Sequence, residues 1–474
     1  MSTAVPDFAR LPGGSPLGEL LRLAAPMIGV TLSRMLMGFI DFAMVSQLGT
    51  SAQAAISPVT LLLFTVACAF MGAAQAAQTF VSQAVGRGEP QRAGAYAWQT
   101  QYLALFAALA TAPLAITTPL WFPWVAALGK HAPDVAAMEI DYLTIGLWSI
   151  GLMTASAGLE SFYNGIRRPG VCLTAVIASL VTNAVGNYML IFGKLGAPEM
   201  GMRGAALATV LAWGVRLAIL LLPLASRAVD HLYHTRRSVW FDAARFSELM
   251  RMGAPIALQW LVDIGAWIVF LVLLMPQYGT VALAASNLAI QFMHLSFMPA
   301  LGIGMAVSTQ VGNAIGAARA DVAQMRVRVA LGIVMGYMGV MGIVFLLLGR
   351  PLAASLCFES DEALRTEVVR TAAQMLLWCA LFQISDGVCI VYSFAFRGAG
   401  DTRVPALLFA ACCWGIFVGG GLLIVRFLPS LGTDGLWAVC SLYIIVLGAL
   451  LWLRYRSGAW RRQTVFDSPA LAAT

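Results

Sequence analysis

The chain has 474 residues, of which 60% are hydrophobic and only 11% are charged, and its mean hydropathy is +0.82. A water-soluble protein of this size carries about a quarter of its residues as charged side chains, so the composition excludes a soluble globular protein. We attribute the formal net charge of +7 to membrane topology and anionic lipid, and we expect no nucleic-acid partner.

Apolar runs of about 20 residues are long enough to cross a bilayer core of about 30 Å as helices. The sequence predicts twelve such spans, at 20–45, 54–82, 96–118, 138–163, 170–192, 203–225, 249–275, 281–311, 326–348, 371–395, 404–425 and 434–454. The polar residues before the first span show no pattern of a removable signal peptide. We therefore predict an all-α membrane protein.

Basic residues near the ends of the spans predict the orientation, because Lys and Arg concentrate on the cytoplasmic side. If the N-terminus is inside, the inside segments hold twenty arginines, whereas the opposite loops hold six Lys or Arg. Both termini are therefore predicted to be cytoplasmic.

The chain repeats itself at an offset of about 230 residues. The segment 21–26 matches 250–255, 82–86 matches 312–316, and 204–208 matches 435–439. We predict two six-helix lobes, 1–235 and 236–474, the second with a short cytoplasmic tail. Two related bundles around a site near the midplane are typical of alternating-access transporters.

Three acids fall inside apolar spans, Asp41, Asp263 and Asp386. An acid at the bilayer centre costs roughly 2.5–3.5 kcal/mol on insertion scales, so it usually faces a cavity, binds a cation or pairs with a base. We interpret the three acids as a proton or cation relay, with structural pairing as the alternative.

Three further charges lie near these acids. Arg34 precedes Asp41 by two helical turns on the same face, which predicts that it keeps Asp41 ionised. Glu160 and Arg216 fall near span ends, where they would pair structurally or extend toward the interface.

Polar neutral residues supply candidate partners. Asn183 and Asn187 share a face of the fifth span and offer carbonyl oxygens for a small hard cation beside Asp41; hydrogen bonding between helices is the alternative. The candidates for a cavity lining are Arg34, Gln259, Asn287, Gln291, His294 and Phe382.

Catalytic signatures are missing from the sequence. We find no His-Glu-x-x-His, Gly-x-Ser-x-Gly or phosphate-loop motif, and the eight cysteines show no zinc, iron–sulfur or disulfide spacing. We therefore expect no enzyme and no cofactor.

Several motifs in the same order resemble the multidrug and toxic compound extrusion (MATE) family, in particular its NorM-like bacterial members, over nearly the whole chain. The motifs are Met37-Gly38-Phe39-Ile40-Asp41, residues 192–199 (FGKLGAPE), residues 303–308 (IGMAVS) with Val311, Gly312 and Gly316, and residues 397–403 (RGAGDTR).

The resemblance implies a V-shaped pair of six-helix lobes that exports organic, mainly cationic drugs in exchange for Na⁺ or H⁺ across the bacterial inner membrane, and a monomer would suffice. Asp41, Asn183 and Asn187 match its N-lobe cation site, and Asp386 matches its C-lobe acid. Na⁺ would bind at Asp263 and Asp386 or at Asp41 and Asn187.

Three positions depart from the family pattern. Asp263 stands where NorM-like members have Glu, Phe382 stands in place of a tyrosine, and Arg34 replaces a neutral residue. A flippase for lipid-linked oligosaccharides, with a similar number of helices, is the alternative function.

Overall fold

A computed structural model describes residues 15–357, 359 and 361–466, and within these residues every regular element is helical. The described α-helices are α1 (Pro16–Val45), α2 (Thr50–Ala74), α3 (Ala77–Gly86), α4 (Ala93–Ile116), α5 (Thr118–Leu128), α6 (Pro133–Gly146), α7 (Ser149–Gly165), α8 (Pro169–Phe192), α9 (Gly201–Leu224), α10 (Arg227–Tyr233), α11 (Ala243–Val269), α12 (Thr280–Gly316), α13 (Ala320–Leu356), α14 (Glu362–Ala399), α15 (Arg403–Ala410), α16 (Gly419–Phe427) and α17 (Gly432–Arg456).

The predicted all-α membrane fold is confirmed. In the described part of the chain, eleven helical segments are long and apolar enough to cross a membrane, and there are twelve if α6 and α7, which meet at a 48° bend, form one span. Helices α2 and α3 together form one of these segments, and so do α15, a π-helical stretch at 411–418 and α16.

Large apolar side chains cover much of the outer surface. Leu128, Leu222 and Leu347 are each more than 70% exposed. A helix that is apolar on all sides belongs in lipid or in a protein core, so these side chains are suited to contact with lipid.

The chain divides into two compact units. In the described residues, unit 1 contains 29–257 and unit 2 contains 15–28 and 258–466. The two boundaries lie inside α1 and α11, shortly after Pro26 and Pro255. The units therefore differ from the predicted lobes, 1–235 and 236–474, in the segments 15–28 and 236–257.

In unit 1, small residues let α8 and α9 approach closely. Gly204 lies against the backbone carbonyl of Leu190, and a Cβ on Gly186 would lie 3.0 Å from the Cβ of Ala208. Helix α8 is capped at its C-terminus by Gly193, whose φ of +64° is left-handed and favours glycine. This packing holds the asparagine face of α8 inside the unit.

In unit 2, α12, α13, α14 and α17 surround a core of their own. The contact between α12 and α14 depends on glycines, since Gly398 abuts the backbone of Ser308 and a Cβ on Gly304 would lie 2.6 Å from the ring of Phe394. Phe417, in the π-helical stretch, stacks on Tyr443 of α17 with 5.0 Å between the ring centroids. The glycine contacts bring the C-terminal half of α14 close to α12.

Candidate ion-coupling sites

The first site lies in unit 1, between α1 and α8. Nδ2 of Asn187 donates a hydrogen bond of 2.5 Å to Oδ1 of Asp41 and a longer one, of 3.4 Å, to Oδ1 of Asn183. Asp41 is 9% exposed, and both asparagines are fully buried. The structure thus brings together the three residues that the sequence proposed for this site.

One further side chain, Tyr142, lies near this carboxylate, and Thr209 lies beside Tyr142. Tyr142 of α6 is close enough to interact electrostatically with Asp41, and its hydroxyl shares a hydrogen bond with Thr209 of α9. Sequence reasoning missed both residues. A tyrosine and a threonine are unremarkable within a span, and nothing in the sequence shows which faces of α6 and α9 turn toward α1.

Two buried polar atoms of the site make no hydrogen bond in the described structure. Oδ1 of Asn187 is buried and has no hydrogen-bond partner in the described structure, and neither has Nδ2 of Asn183. Carboxylate and amide oxygens are the donors that small hard cations prefer. The arrangement therefore offers a proton or a sodium ion one carboxylate and nearby amide oxygens.

The second site lies in unit 2, between α11 and α14. Asp386 and Asp263 are close enough for their charges to interact, and a side-chain hydrogen bond links Trp267, one turn after Asp263, to the carboxyl of Asp263. Tyr443 of α17 is close enough to both acids to interact with them electrostatically. Two neighbouring acids resist double ionisation, so the pair is suited to holding one proton or one cation.

The cysteines are all free and buried. Five of them, Cys379, Cys389, Cys412, Cys413 and Cys440, lie near an acid of this pair or near one another. Even so, no three His, Cys, Asp or Glu side chains come together as a metal site in the portion of the chain that the structure describes.

The prediction that Arg34 keeps Asp41 ionised is wrong. Nη2 of Arg34 forms an ion pair with Oε2 of Glu160, and Nε of Arg216 donates a 2.6 Å hydrogen bond to Oε1 of the same carboxylate. A position two turns from Asp41 is roughly 10 Å away along the helix, and α7 places an acid nearer. Glu160 and Arg216 pair structurally, as one of the two readings expected.

Apart from Arg34, the candidates for the cavity lining lie in three different environments. Oε1 of Gln259 accepts a 2.9 Å hydrogen bond from Nη2 of Arg397 inside unit 2. Asn287, Gln291 and His294 lie on one face of α12 and are exposed. Phe382 is fully buried in the core of unit 2, so the prediction that it lines a cavity is wrong.

The MatE family model matches residues 26–189 and 255–419 of this chain. The two matches begin at Pro26 and Pro255 and reproduce the internal repeat. The chain is a NorM-like member of the MATE transporter family.

Curated relatives support the assignment over almost the full length. The probable multidrug resistance protein NorM of Rhizobium meliloti is 31% identical over 442 residues, which cover 92% of each chain. The protein of the same name from Bradyrhizobium diazoefficiens is 32% identical over 446 residues, which cover 94% of each.

Solved structures share the fold. A MOP superfamily transporter from Pyrococcus furiosus aligns with a TM-score of 0.82 at 19% identity and covers 95% of this chain and 98% of its own. The Vibrio cholerae MATE transporter VcmN in its bent form aligns with a TM-score of 0.79 at 21% identity and covers 94% and 97%. The predicted MATE fold is thereby confirmed.

Proposed function

We propose that this transporter is a secondary-active antiporter that exports organic, mainly cationic compounds in exchange for inward Na⁺ or H⁺. The relatives from R. meliloti and B. diazoefficiens carry the name of multidrug resistance proteins, which supports drugs as the exported class. The twenty arginines of the predicted inside segments support a location in the bacterial inner membrane with both termini in the cytoplasm.

One observation carries the coupling proposal. In the described structure, the hydrogen-bond partner of the buried Asp41 carboxylate is a neutral amide, that of Asn187, and Arg34 is engaged by Glu160 instead. An unpaired charge at membrane depth is costly. Asp41 therefore requires a mobile cation, and this cation is a proton or Na⁺ that enters from outside.

The energetics favour exchange driven by such a cation. Each positive charge that moves inward across the membrane gains about 2.3 kcal/mol per 100 mV of potential. The cation can shift the conformational equilibrium only by the difference between its affinities for the two states. A site made of one carboxylate and adjustable amides allows such a difference, since a small movement between α1 and α8 changes the number of oxygens around the cation.

The test is efflux of a fluorescent organic cation from proteoliposomes, with Na⁺ and pH gradients imposed separately. We expect one gradient to drive efflux by the wild type and to drive none by Asp41→Asn. The control is Asp321→Asn, which removes an exposed carboxylate paired with Arg319 and should transport normally.

Two outcomes would contradict the proposal. If neither gradient moves the dye through folded wild-type protein, the antiport assignment fails, and lipid-linked cargo becomes the substrate to test. If Asp41→Asn retains gradient-driven efflux, Asp41 is not a coupling residue.

A further inference from the structure

The segment that joins the two repeats is held against unit 1. It consists of α10 and the linker 234–242, and it follows α9. Helix α10 lies close to the start of α4, because Gly94 has no side chain and a Cβ at this position would overlap the carbonyl oxygen of Tyr233. Oγ1 of Thr235 then donates a 2.9 Å hydrogen bond back to the carbonyl oxygen of Leu224, at the end of α9. These contacts give the linker a defined position on the unit.

Side chains of α4 place the linker at the level where a membrane span begins. Nε1 of Trp98 donates a 2.7 Å hydrogen bond to the carbonyl oxygen of Thr235. The hydroxyl of Tyr102 donates a 2.9 Å hydrogen bond to the carbonyl oxygen of Val239. Both donors lie in the first two turns of the span predicted at 96–118. The linker therefore lies at the depth of the lipid headgroups.

Two aromatic residues of the linker are exposed at this depth. Trp240 is 84% exposed, and Phe241 is 53% exposed. The ring of Phe241 also packs edge-on against Tyr102, with 5.3 Å between the centroids. Aromatic side chains concentrate at the interface between membrane and water. This end of unit 1 is therefore suited to contact with the interfacial layer of one leaflet.

A pocket on the same segment is lined by polar and charged side chains. The lining residues are Arg227, Asp230, His231, His234 and Arg237, and the cavity has a volume of about 310 Å³. Ligand pockets usually have volumes of about 300–1,000 Å³. This one is at the lower limit, so it suits a small chemical group rather than a drug-sized molecule.

The charges around this pocket favour an anion. The segment 227–237 contains three arginines and one aspartate, a net charge of +2 with its histidines neutral. Oδ1 of Asp230 accepts a 2.7 Å hydrogen bond from the backbone N–H of Arg236. Arg227 and Arg237 are exposed, and neither forms an ion pair with another residue that the structure describes. A guanidinium group binds phosphate through two N–H donors, and an imidazole ring supplies a further donor.

We propose that this pocket binds the phosphate headgroup of an anionic phospholipid, while Trp240 and Phe241 lie in the interfacial layer of the same leaflet. The distribution of arginines predicts that this is the cytoplasmic leaflet, whose anionic lipids attract basic segments. The exposed aromatic residues favour a lipid over a free phosphate ion, because only a lipid offers them an apolar contact. This proposal does not depend on which compound the transporter exports.

The experiment measures lipid binding to the purified full-length protein by native mass spectrometry from detergent micelles. The probes are phosphatidylglycerol, phosphatidylcholine and inorganic phosphate. The variant Arg227→Gln/Arg237→Gln removes both guanidinium groups of the pocket, and since neither forms an ion pair in the described structure, it should fold. The matched control is Arg319→Gln/Arg456→Gln, which removes two exposed arginines of unit 2 and changes the net charge equally.

We expect the wild type to bind phosphatidylglycerol about tenfold more tightly than phosphatidylcholine. A basic residue near an anionic lipid surface contributes about fivefold in affinity. The loss of both pocket arginines should therefore weaken phosphatidylglycerol binding by about thirtyfold, and the control should leave it nearly unchanged. Trp240→Ala should also weaken it, because the lipid loses an apolar contact.

Each of three results would overturn the proposal. Equal affinities for phosphatidylglycerol and phosphatidylcholine would mean that the pocket does not recognise an anionic lipid. Equal losses in the two double variants would mean that lipid is attracted by the overall charge alone. Displacement of the lipid by an equal concentration of inorganic phosphate would identify a site for a phosphate ion. Unchanged affinity in Trp240→Ala would overturn the role of this tryptophan.

Discussion

Asn187 of α8 donates a 2.5 Å hydrogen bond to Asp41 of α1, although 146 residues separate them in the chain. The bond joins an amide donor to a buried acceptor that forms no ion pair with an arginine or lysine among the residues that the structure describes. The bond therefore fixes the position of the carboxylate, and because the amide is neutral, the negative charge of Asp41 remains to be compensated by a cation.

Removing this donor should weaken the binding of the coupling cation. We expect Asn187→Ala to raise the cation concentration needed for half-maximal efflux by about tenfold, the effect of roughly 1.4 kcal/mol, because the amide that orients Asp41 and the oxygen beside it are both lost. The measurement is efflux against Na⁺ concentration or pH, whichever ion drives transport.

The variant Asn183→Ala is compared with Asn187→Ala, because Asn183 contacts Asn187 through the longer, 3.4 Å hydrogen bond and makes a weaker contribution to the site. Its effect should have the same direction and be smaller. Unchanged cation dependence in both variants would contradict a role for these amides.

Glu160 should be more important for stability than an exposed acid. Replacing it with Gln leaves the guanidinium groups of Arg34 and Arg216 without their shared anion, and breaking a buried ion pair costs about 3–5 kcal/mol of unfolding free energy. We expect Glu160→Gln to lower the thermal midpoint markedly in detergent.

The comparison variant is Asp141→Asn, which breaks the exposed pair with Arg203. Exposed pairs contribute little because water and salt screen them, so its midpoint should stay near that of the wild type. Equal midpoints for the two variants would show that the buried cluster does not stabilise the fold.

The two acids of unit 2 should behave as one functional group. Asp263 and Asp386 interact electrostatically, and residues that share one function have non-additive effects. We expect each single Asn variant to reduce gradient-driven efflux by at least about tenfold and the double variant to be hardly worse than the stronger single one.

Efflux rates at a fixed gradient provide the measurement, with Asp434→Asn as the control; this acid accepts a hydrogen bond from Trp378 away from the pair. Independent roles would instead give a double variant whose loss is the product of the two single losses.

Two glycines of α9 with different surroundings offer a test of the packing in unit 1. A methyl group at Gly204 would overlap the backbone carbonyl of Leu190, whereas one at Gly214 meets no atom within 4 Å. Overpacking typically costs about 1–3 kcal/mol. We expect Gly204→Ala to lower the thermal midpoint and Gly214→Ala to leave it unchanged or slightly raised; equal midpoints would mean that α8 can move away from α9.

The sequence predicted the spans more accurately than the contacts. The span predicted at 170–192 is α8, Pro169–Phe192, because an apolar run bounded by Pro and Gly has visible ends. The span predicted at 326–348 is shorter than α13, Ala320–Leu356, since the polar turns that extend a helix beyond the apolar run carry no hydropathy signal. Helix α5 was missed because it is too short to span a membrane.

The partners of buried groups were predictable only in part. The pairing of Asp41 with Asn187 followed from shared helix faces and from the resemblance. Arg34 was paired with the wrong acid because periodicity gives the face of a helix but not the helix opposite, and an arginine side chain reaches several neighbours. Phe382 was misplaced because α14 is apolar on more than one face, so its pattern does not separate the core from a cavity.

Helices α1 and α11 each contribute residues to both units, and this limits how the chain can be divided. Residues 15–28 belong to unit 2, and 243–257 belong to unit 1. Two half-length polypeptides, divided between α9 and α11, would each carry one helical segment that belongs to the other's compact unit. Two fragments could then assemble only by exchanging segments, as subunits of a domain-swapped dimer do.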